Sequence, residues 1–260
     1  MACDRVVLSP TNPSTPWVLG IVLLGLLAVL VVRAIRKDKR EYRRFKRMRA
    51  TKPRQRQFRR WVTQSFLLFG ISSVVVLALA GQFIPLLLDD VNQWNWVSQA
   101  RLAFDNGGAL SVGILVAVIV LVVGGAVGGI ILARKETDIP SLGDVQALLP
   151  RNRAELRWGA ALSLNAGLVE ELLFRLALPA ALFGITGSAL ASILVSLVIF
   201  GLLHVYQGVA GIVGSLVIGS ILMVIYLASG SIWIAILAHA LVDLRSLVLI
   251  PVVLFKVHKV

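Results

Sequence analysis

The sequence predicts an all-α polytopic membrane helix bundle with about seven to eight transmembrane helices. Hydrophobic residues fill 58% of the 260 positions, and charged residues fill 15%. The mean hydropathy is +0.87, which is more apolar than a water-soluble domain of this size can accommodate. The apolar residues also form runs of about 18 or more, which is the length of helix that crosses about 30 Å of hydrocarbon.

Seven apolar runs follow one another along the chain. They cover residues 17–32, 61–88, 110–133, 158–182, 188–205, 209–228 and 232–255. The last run contains Asp243, Arg245 and Pro251, so it could also be two shorter helices, which would raise the count to eight. We divide the chain into an N-terminal membrane anchor with a basic cytoplasmic segment (1–60), two transmembrane helices with a linker (61–157) and a helical core (158–260).

The positive charge is concentrated directly after the first apolar run. The net charge is +13, and more than half of the 26 lysine and arginine residues lie between Arg33 and Arg60. Basic segments beside a membrane helix stay on the cytoplasmic side and contact anionic lipid. We therefore expect anionic lipid rather than nucleic acid as the partner of this segment, with the N-terminus outside and the C-terminus in the cytoplasm. The short loops predict a prokaryotic plasma membrane.

Charged and histidine residues interrupt the apolar sequence between Trp158 and Phe255. A charged side chain at the centre of a membrane helix costs about 2.5–3.5 kcal/mol on insertion scales, so several such residues require a compensating arrangement. We expect them to meet at one polar site. The residues are Glu170, Glu171, Arg175, His204, His239, Asp243 and Arg245.

Helical spacing predicts different roles for the two adjacent glutamates. Glu171 lies four residues before Arg175 and about 40° from it around the helix, which favours an ion pair. Glu170 points elsewhere and is therefore the better candidate for chemistry. By the rise per residue, Glu170 lies about 18 Å from one end of its span and His239 about 12 Å from the opposite end of its own, so their depths coincide. The same four-residue spacing relates Phe200 to His204 and His239 to Asp243.

A glutamate with two histidines is sufficient to activate a water molecule. The carboxylate can act as a general base, or the three side chains can hold a divalent metal such as zinc that polarises the water. The candidate metal ligands are Glu170, His204 and His239, each on a different predicted helix. The residue pattern leaves both routes open.

Three short motifs resemble those of a known protease family. EELLFR (170–175), FGLLH (200–204) and HALVD (239–243) resemble, in order and spacing, the EExxxR, FxxxH and HxxxN/D motifs of the CAAX-protease and bacteriocin-processing (CPBP) family, which includes the type II CAAX prenyl endopeptidases. The resemblance covers residues 158–249. It implies an intramembrane protease whose catalytic helix core is the 158–260 part.

The resemblance also implies a role for each motif residue. Glu170 matches the residue that activates the attacking water, with help from His204. His239 and Asp243 match the pair that stabilises the oxyanion, and the remaining motif residues support the site. Asp243 stands where many members have Asn, and because an ionised carboxylate only accepts hydrogen bonds, we expect it to orient His239. The supporting residues are Glu171, Arg175 and Phe200.

Two classes of function are consistent with this pattern. The first is an intramembrane endopeptidase that hydrolyses a peptide bond in a peptide or membrane-protein substrate. It is either metal-dependent or glutamate-dependent, because the family resemblance does not distinguish the two. The second is a non-catalytic scaffold, a regulator or a proton-coupled transporter that uses the same polar site, since intramembrane Glu and His also occur in proton relays. Proteolysis that depends on Glu170 would distinguish them.

Overall fold

The computed structural model describes residues 8–107 and 146–259, together with the single positions 113, 120 and 124. The elements of residues 8–107 and 146–259 are all helical, which confirms the predicted all-α class for this part of the chain. The predicted span 110–133 lies outside the described residues. Four helical stretches here are long and apolar enough to cross a membrane, as expected of an integral membrane protein: Thr15–Lys46, Thr51–Ala80, Ala189–Ser229 and Ile232–Phe255. The count of seven to eight stays a prediction.

The basic segment is helical and forms the adjoining ends of the first two helices. Helix α1 (Thr15–Lys46) continues past the apolar run 17–32, and α2 (Thr51–Ala80) begins before the run 61–88. Arginine and lysine are good helix formers, so the change from apolar to basic sequence does not end either helix. The two basic ends pack together through Phe45, whose ring centroid lies 5.2 Å from that of Phe58. They form a hairpin rather than a loose arm.

The second predicted span is divided between two helices. Helix α2 ends at Ala80, and α3 (Phe83–Asn92) follows after Gly81 and Gln82. Helix α4 (Asn95–Asp105) lies between the predicted runs 61–88 and 110–133. Pro85 lies in the first turn of α3, where its missing N–H costs least, so the sequence favours a new helix start here.

The C-terminal part contains six further helices. They are α5 (Arg153–Glu171), α6 (Leu178–Thr186), α7 (Ala189–Leu203), α8 (Gly208–Ser229), α9 (Ile232–Leu244) and α10 (Ile250–Phe255). A π-helical segment joins α5 to α6 and another joins α9 to α10, whereas a 3-10 turn connects α7 to α8. Pro251 stands at the start of α10, so it does not break the last span.

The stretch Ala189–Ser229 is a hairpin of two helices. Gly208 at its centre has a φ of +79°, which reverses the chain direction and favours glycine. A Cβ placed on Gly219 would lie 2.8 Å from the Phe200 ring, so α7 and α8 pack side by side. The predicted spans 188–205 and 209–228 correspond to its two arms.

A stripe of small residues lets α5 approach α9 and the π-helical segment after it closely. A Cβ on Gly159 would lie 2.8 Å from the carbonyl oxygen of Leu247, and one on Gly167 would lie 2.9 Å from Cβ of Ala240. Such contacts allow helix backbones to approach in lipid, where packing holds helices together. Glu171 follows Gly167 by four residues and lies on the same face of α5, so the close packing of this face places Glu171 next to α9.

Candidate active site

The EELLFR motif lies where α5 changes into a π-helical segment, Leu172–Ala177. Pro179 has no N–H to offer to the carbonyls of the preceding turn. The hydroxyl of Ser196 on α7 instead donates to the carbonyl of Phe174 at 2.7 Å. The proline thus favours a local change of helical pitch, and π-helical segments of this kind often occur at functional sites.

Glu171 is the centre of a buried charge network. Its Oε2 lies 3.1 Å from Nε of Arg175, which is the predicted ion pair. Its Oε1 accepts a hydrogen bond from Nδ1 of His239 at 2.7 Å. Glu171 and Arg175 are no more than 1% exposed, and His239 is 6% exposed. This single carboxylate therefore compensates a cation on its own helix and fixes the His239 ring on α9.

Glu171, and not Asp243, forms the hydrogen bond to the His239 ring. Oδ2 of Asp243 lies 3.8 Å from Nε2 of His239, which is too long for a hydrogen bond, so its role in orienting the ring stays a prediction. The close approach of α5 to α9 brings Glu171 nearer to His239 than the following turn of α9 brings Asp243. Asp243 retains only an electrostatic contact with the ring.

The ring of Phe200, the first residue of the second motif, lies against residues of all three motifs. The Arg175 guanidinium lies 4.7 Å from the centre of its ring and donates through Nη2 to the Gly219 carbonyl at 3.2 Å. The ring centroids of His204 and His239 lie 4.9 and 6.4 Å from that of Phe200. Phe200 is only 3% exposed, so it joins the motif residues through packing.

His204 is held in a defined orientation at the end of α7. Its Nδ1 lies 2.8 Å from the carbonyl oxygen of Phe200. A carbonyl only accepts, so Nδ1 carries the hydrogen and the neutral ring keeps its lone pair on Nε2. Tyr206 stacks on the ring at 6.0 Å with an interplanar angle of 29°. His204 thus presents a fixed nitrogen that can accept a proton or a hydrogen bond.

Glu170 and His204 line one cavity of about 150 Å³. The Glu170 carboxylate forms no hydrogen bond or ion pair with another described residue, in contrast to Glu171. His239 and Asp243 are not among the residues that line this cavity. The structure therefore brings Glu170 and His204 to one space, whereas His239 and Asp243 do not line it.

Residues 152–245 match the family model of the Rce1-like type II CAAX prenyl endopeptidases. We refer to this matched segment as the Rce1-like domain. The match confirms the resemblance predicted from the three motifs, and the matched family is one of proteases. No curated protein and no solved structure matches the chain significantly. The match begins just before α5 and ends at Arg245, so α1 and α2 lie outside it.

Helices outside the Rce1-like domain nevertheless complete its cavity. Their residues in the lining were not predicted, because nothing in the spacing of the sequence relates the basic segment to the motifs. One signal was present: Asp38 is a rare acid within the basic run, and its Oδ1 lies 3.2 Å from Nε of Arg33. The lining residues from α1 and α2 include Arg33, Asp38, Tyr42, Trp61 and Ser65.

The side chains of the Rce1-like domain do not form a metal site in this arrangement. Among the described residues, no group of three or more His, Cys, Asp or Glu side chains is positioned to hold an ion. The predicted ligands are divided, because Glu170 and His204 line the cavity and His239 donates to Glu171. A zinc ion requires its ligands at about 2.0–2.2 Å around one point. The geometry does not fit the predicted zinc ligand set.

Proposed function

We propose that the chain is an intramembrane endopeptidase in which Glu170 activates a water molecule for attack on a peptide bond. One observation carries the proposal: Glu170 shares the cavity of the Rce1-like domain with His204 and is not engaged by the network that holds Glu171. A general base must have its carboxylate available to the water, and only the first glutamate of the pair meets that condition.

The proposed reaction assigns a proton and a bond to each step. The Glu170 carboxylate takes a proton from water as the water oxygen bonds to the carbonyl carbon of the scissile peptide. His204, held through Nδ1, accepts a hydrogen bond from the water at Nε2 and so orients it. The C–N bond then breaks, and the protonated Glu170 gives its proton to the leaving amine. The carboxylate is restored and two peptide products remain.

His239 is proposed to stabilise the oxyanion with the Nε2 side of its ring. Glu171 holds Nδ1, and the second carboxylate, Asp243, is 3.8 Å from Nε2. An imidazolium between two carboxylates carries N–H groups on both nitrogens, and Nε2–H can donate to developing negative charge. This role requires the oxygen of the scissile carbonyl to lie within hydrogen-bond distance of Nε2 of His239.

The substrate is proposed to be a peptide or membrane protein that enters the cavity from the bilayer. The cavity wall combines apolar residues with the Arg33–Asp38 pair of α1, so a largely apolar segment with a polar end would match it. The proposed enzyme lies in a prokaryotic plasma membrane with its N-terminus outside. The basic segment would then be cytoplasmic, in agreement with the positive-inside rule.

Cleavage of membrane peptides by the full-length protein tests the proposal. We expect Glu170→Gln to lower the rate of cleavage by a factor of about 100 or more, because the general base is lost. The variant should remain inserted in the membrane and as stable as wild type. The matched control is Asp105→Asn, which makes the same carboxylate-to-amide change at an exposed position outside the Rce1-like domain. Activity of Glu170→Gln equal to wild type would reject the protease mechanism, and Glu170-dependent proton flux without cleavage would support the transporter instead. A chelator should leave activity unchanged if the glutamate acts alone.

A further inference from the structure

A second pocket lies at the basic end of the helices, away from the cavity that contains Glu170. Its volume is about 230 Å³, and it lies between α2 and the start of α5. Four of its lining residues are cations, and none is a carboxylate. The lining consists of Lys52, Gln55, Arg56, Arg59, Arg157 and Trp158.

The cations of this pocket differ from their neighbours in having no acidic partner among the residues that the structure describes. Arg54 is paired with Glu155 at 3.1 Å, and Arg60 lies 3.5 Å from Glu41. No ion pair between described residues involves a cation of the pocket. Four like charges around one space repel one another, and a bound anion would relieve that repulsion.

Trp158, which lines the pocket, carries an unsatisfied hydrogen-bond donor. Its indole Nε1–H is buried and has no partner in the described part of the protein. The Arg157 guanidinium lies 5.7 Å from the centre of the same ring. A buried N–H without an acceptor is unfavourable, so an anion that accepts from the indole would satisfy it. The pocket therefore offers positive charge together with an unsatisfied donor.

The position of the pocket favours a lipid as the source of the anion. Helices α2 and α5 run parallel, since Arg54 contacts Glu155 at one end and Ser65 accepts from Asn165 at 2.6 Å further along. Both helices expose large apolar side chains about 10 Å beyond the pocket, at about 1.5 Å per residue. Those side chains are Phe66, Leu67 and Leu164.

We propose that this pocket binds the phosphate of an anionic phospholipid headgroup, with the acyl chains covering the apolar residues further along α2 and α5. Arg56, Arg59 and Arg157 would surround the phosphate, and the indole N–H of Trp158 would donate to one of its oxygens. The site joins the basic segment to the first turns of the Rce1-like domain. It is separate from the proposed catalytic cavity and does not depend on protease activity.

Lipid binding to the full-length protein tests the proposal. Native mass spectrometry of the detergent-solubilised chain measures the affinity for phosphatidylglycerol, phosphatidylcholine and inorganic phosphate. The pocket variant is R56Q/R59Q/R157Q, and the charge-matched control is R40Q/R43Q/R44Q, which removes three exposed cations elsewhere in the same basic segment. Trp158→Phe removes the indole N–H and keeps an aromatic ring.

We expect the pocket variant to bind phosphatidylglycerol at least about tenfold more weakly than wild type, because a charge-assisted hydrogen bond to the phosphate contributes a factor of about ten or more. The control should change the affinity less than threefold, and Trp158→Phe should weaken it about three- to fivefold. Equal losses in both triple variants would overturn the site in favour of diffuse charge. Inorganic phosphate that binds as tightly as phosphatidylglycerol would overturn the assignment to lipid.

Discussion

Replacing Arg54 by methionine should be among the most destabilising single changes in the basic segment. Arg54 is completely buried, and its Nε donates to both oxygens of Glu155 at 3.1 Å. Its Nη2 donates to the carbonyls of Ala147 and Leu149 at 3.0 and 3.1 Å. The guanidinium also lies 4.2 Å from the centre of the Phe45 ring. The contacts of this one side chain connect α2 to the beginning of the Rce1-like domain.

The expected loss of unfolding free energy follows from the carboxylate that stays buried after the substitution. Glu155 is 1% exposed, so Arg54→Met leaves a buried carboxylate without its counter-charge. Breaking a buried ion pair in this way typically costs about 3–5 kcal/mol. The Arg60–Glu41 pair on the same helix is a surface contact, because Arg60 is 55% exposed. Arg60→Met should therefore cost about 0–1 kcal/mol.

Reversible unfolding in mixed micelles, followed by circular dichroism, measures both free energies. A double variant, Arg54→Met with Glu155→Met, removes the stranded charge together with its partner and should recover at least half of the loss, since replacing a whole buried pair by apolar residues is often neutral. Two results would refute the reasoning: a cost below about 1 kcal/mol for Arg54→Met, or a double variant no more stable than the single one.

Two further predictions concern the site and its packing. Tyr206→Leu should lower kcat by about two- to tenfold with little change in KM. The reason is that an aromatic contact of about 0.5–1.5 kcal/mol no longer holds His204 in place. Tyr206→Phe keeps the ring and should behave like wild type. Gly167→Ala should destabilise the fold by about 1–3 kcal/mol, because its Cβ would meet the backbone and Cβ of Ala240 at 2.9 Å. Gly25→Ala should not destabilise it, since a Cβ there has no neighbour within 4 Å.

These predictions have distinct contradicting outcomes. If Tyr206→Phe loses as much activity as Tyr206→Leu, the hydroxyl matters rather than the stacked ring. If the leucine variant changes KM alone, Tyr206 acts on substrate binding and not on the orientation of His204. If Gly167→Ala and Gly25→Ala are equally stable in thermal unfolding, α5 and α9 do not require their close approach, and the position of Glu171 needs another explanation.

The local pairing within EELLFR could be predicted from the sequence, but the partner of His239 could not. Glu171 and Arg175 share one helix, so their spacing alone fixes the contact that is observed at 3.1 Å. His239 and Asp243 satisfy the same spacing, yet Glu171 from another helix forms the hydrogen bond. Spacing ranks the contacts inside a helix, whereas a contact between helices depends on how closely their backbones approach.

The sequence by itself determined the membrane character, the helical class and the Rce1-like domain, because apolar run length and motif spacing are properties of a single chain segment. Only the tertiary structure decided which side chains share a cavity. Packing at Gly167 directed Glu171 to α9, while Glu170 stayed with His204 in the cavity. Helices α1 and α2 close that cavity although they lie outside the family match, because the contacts between distant segments depend on the packing of the whole bundle.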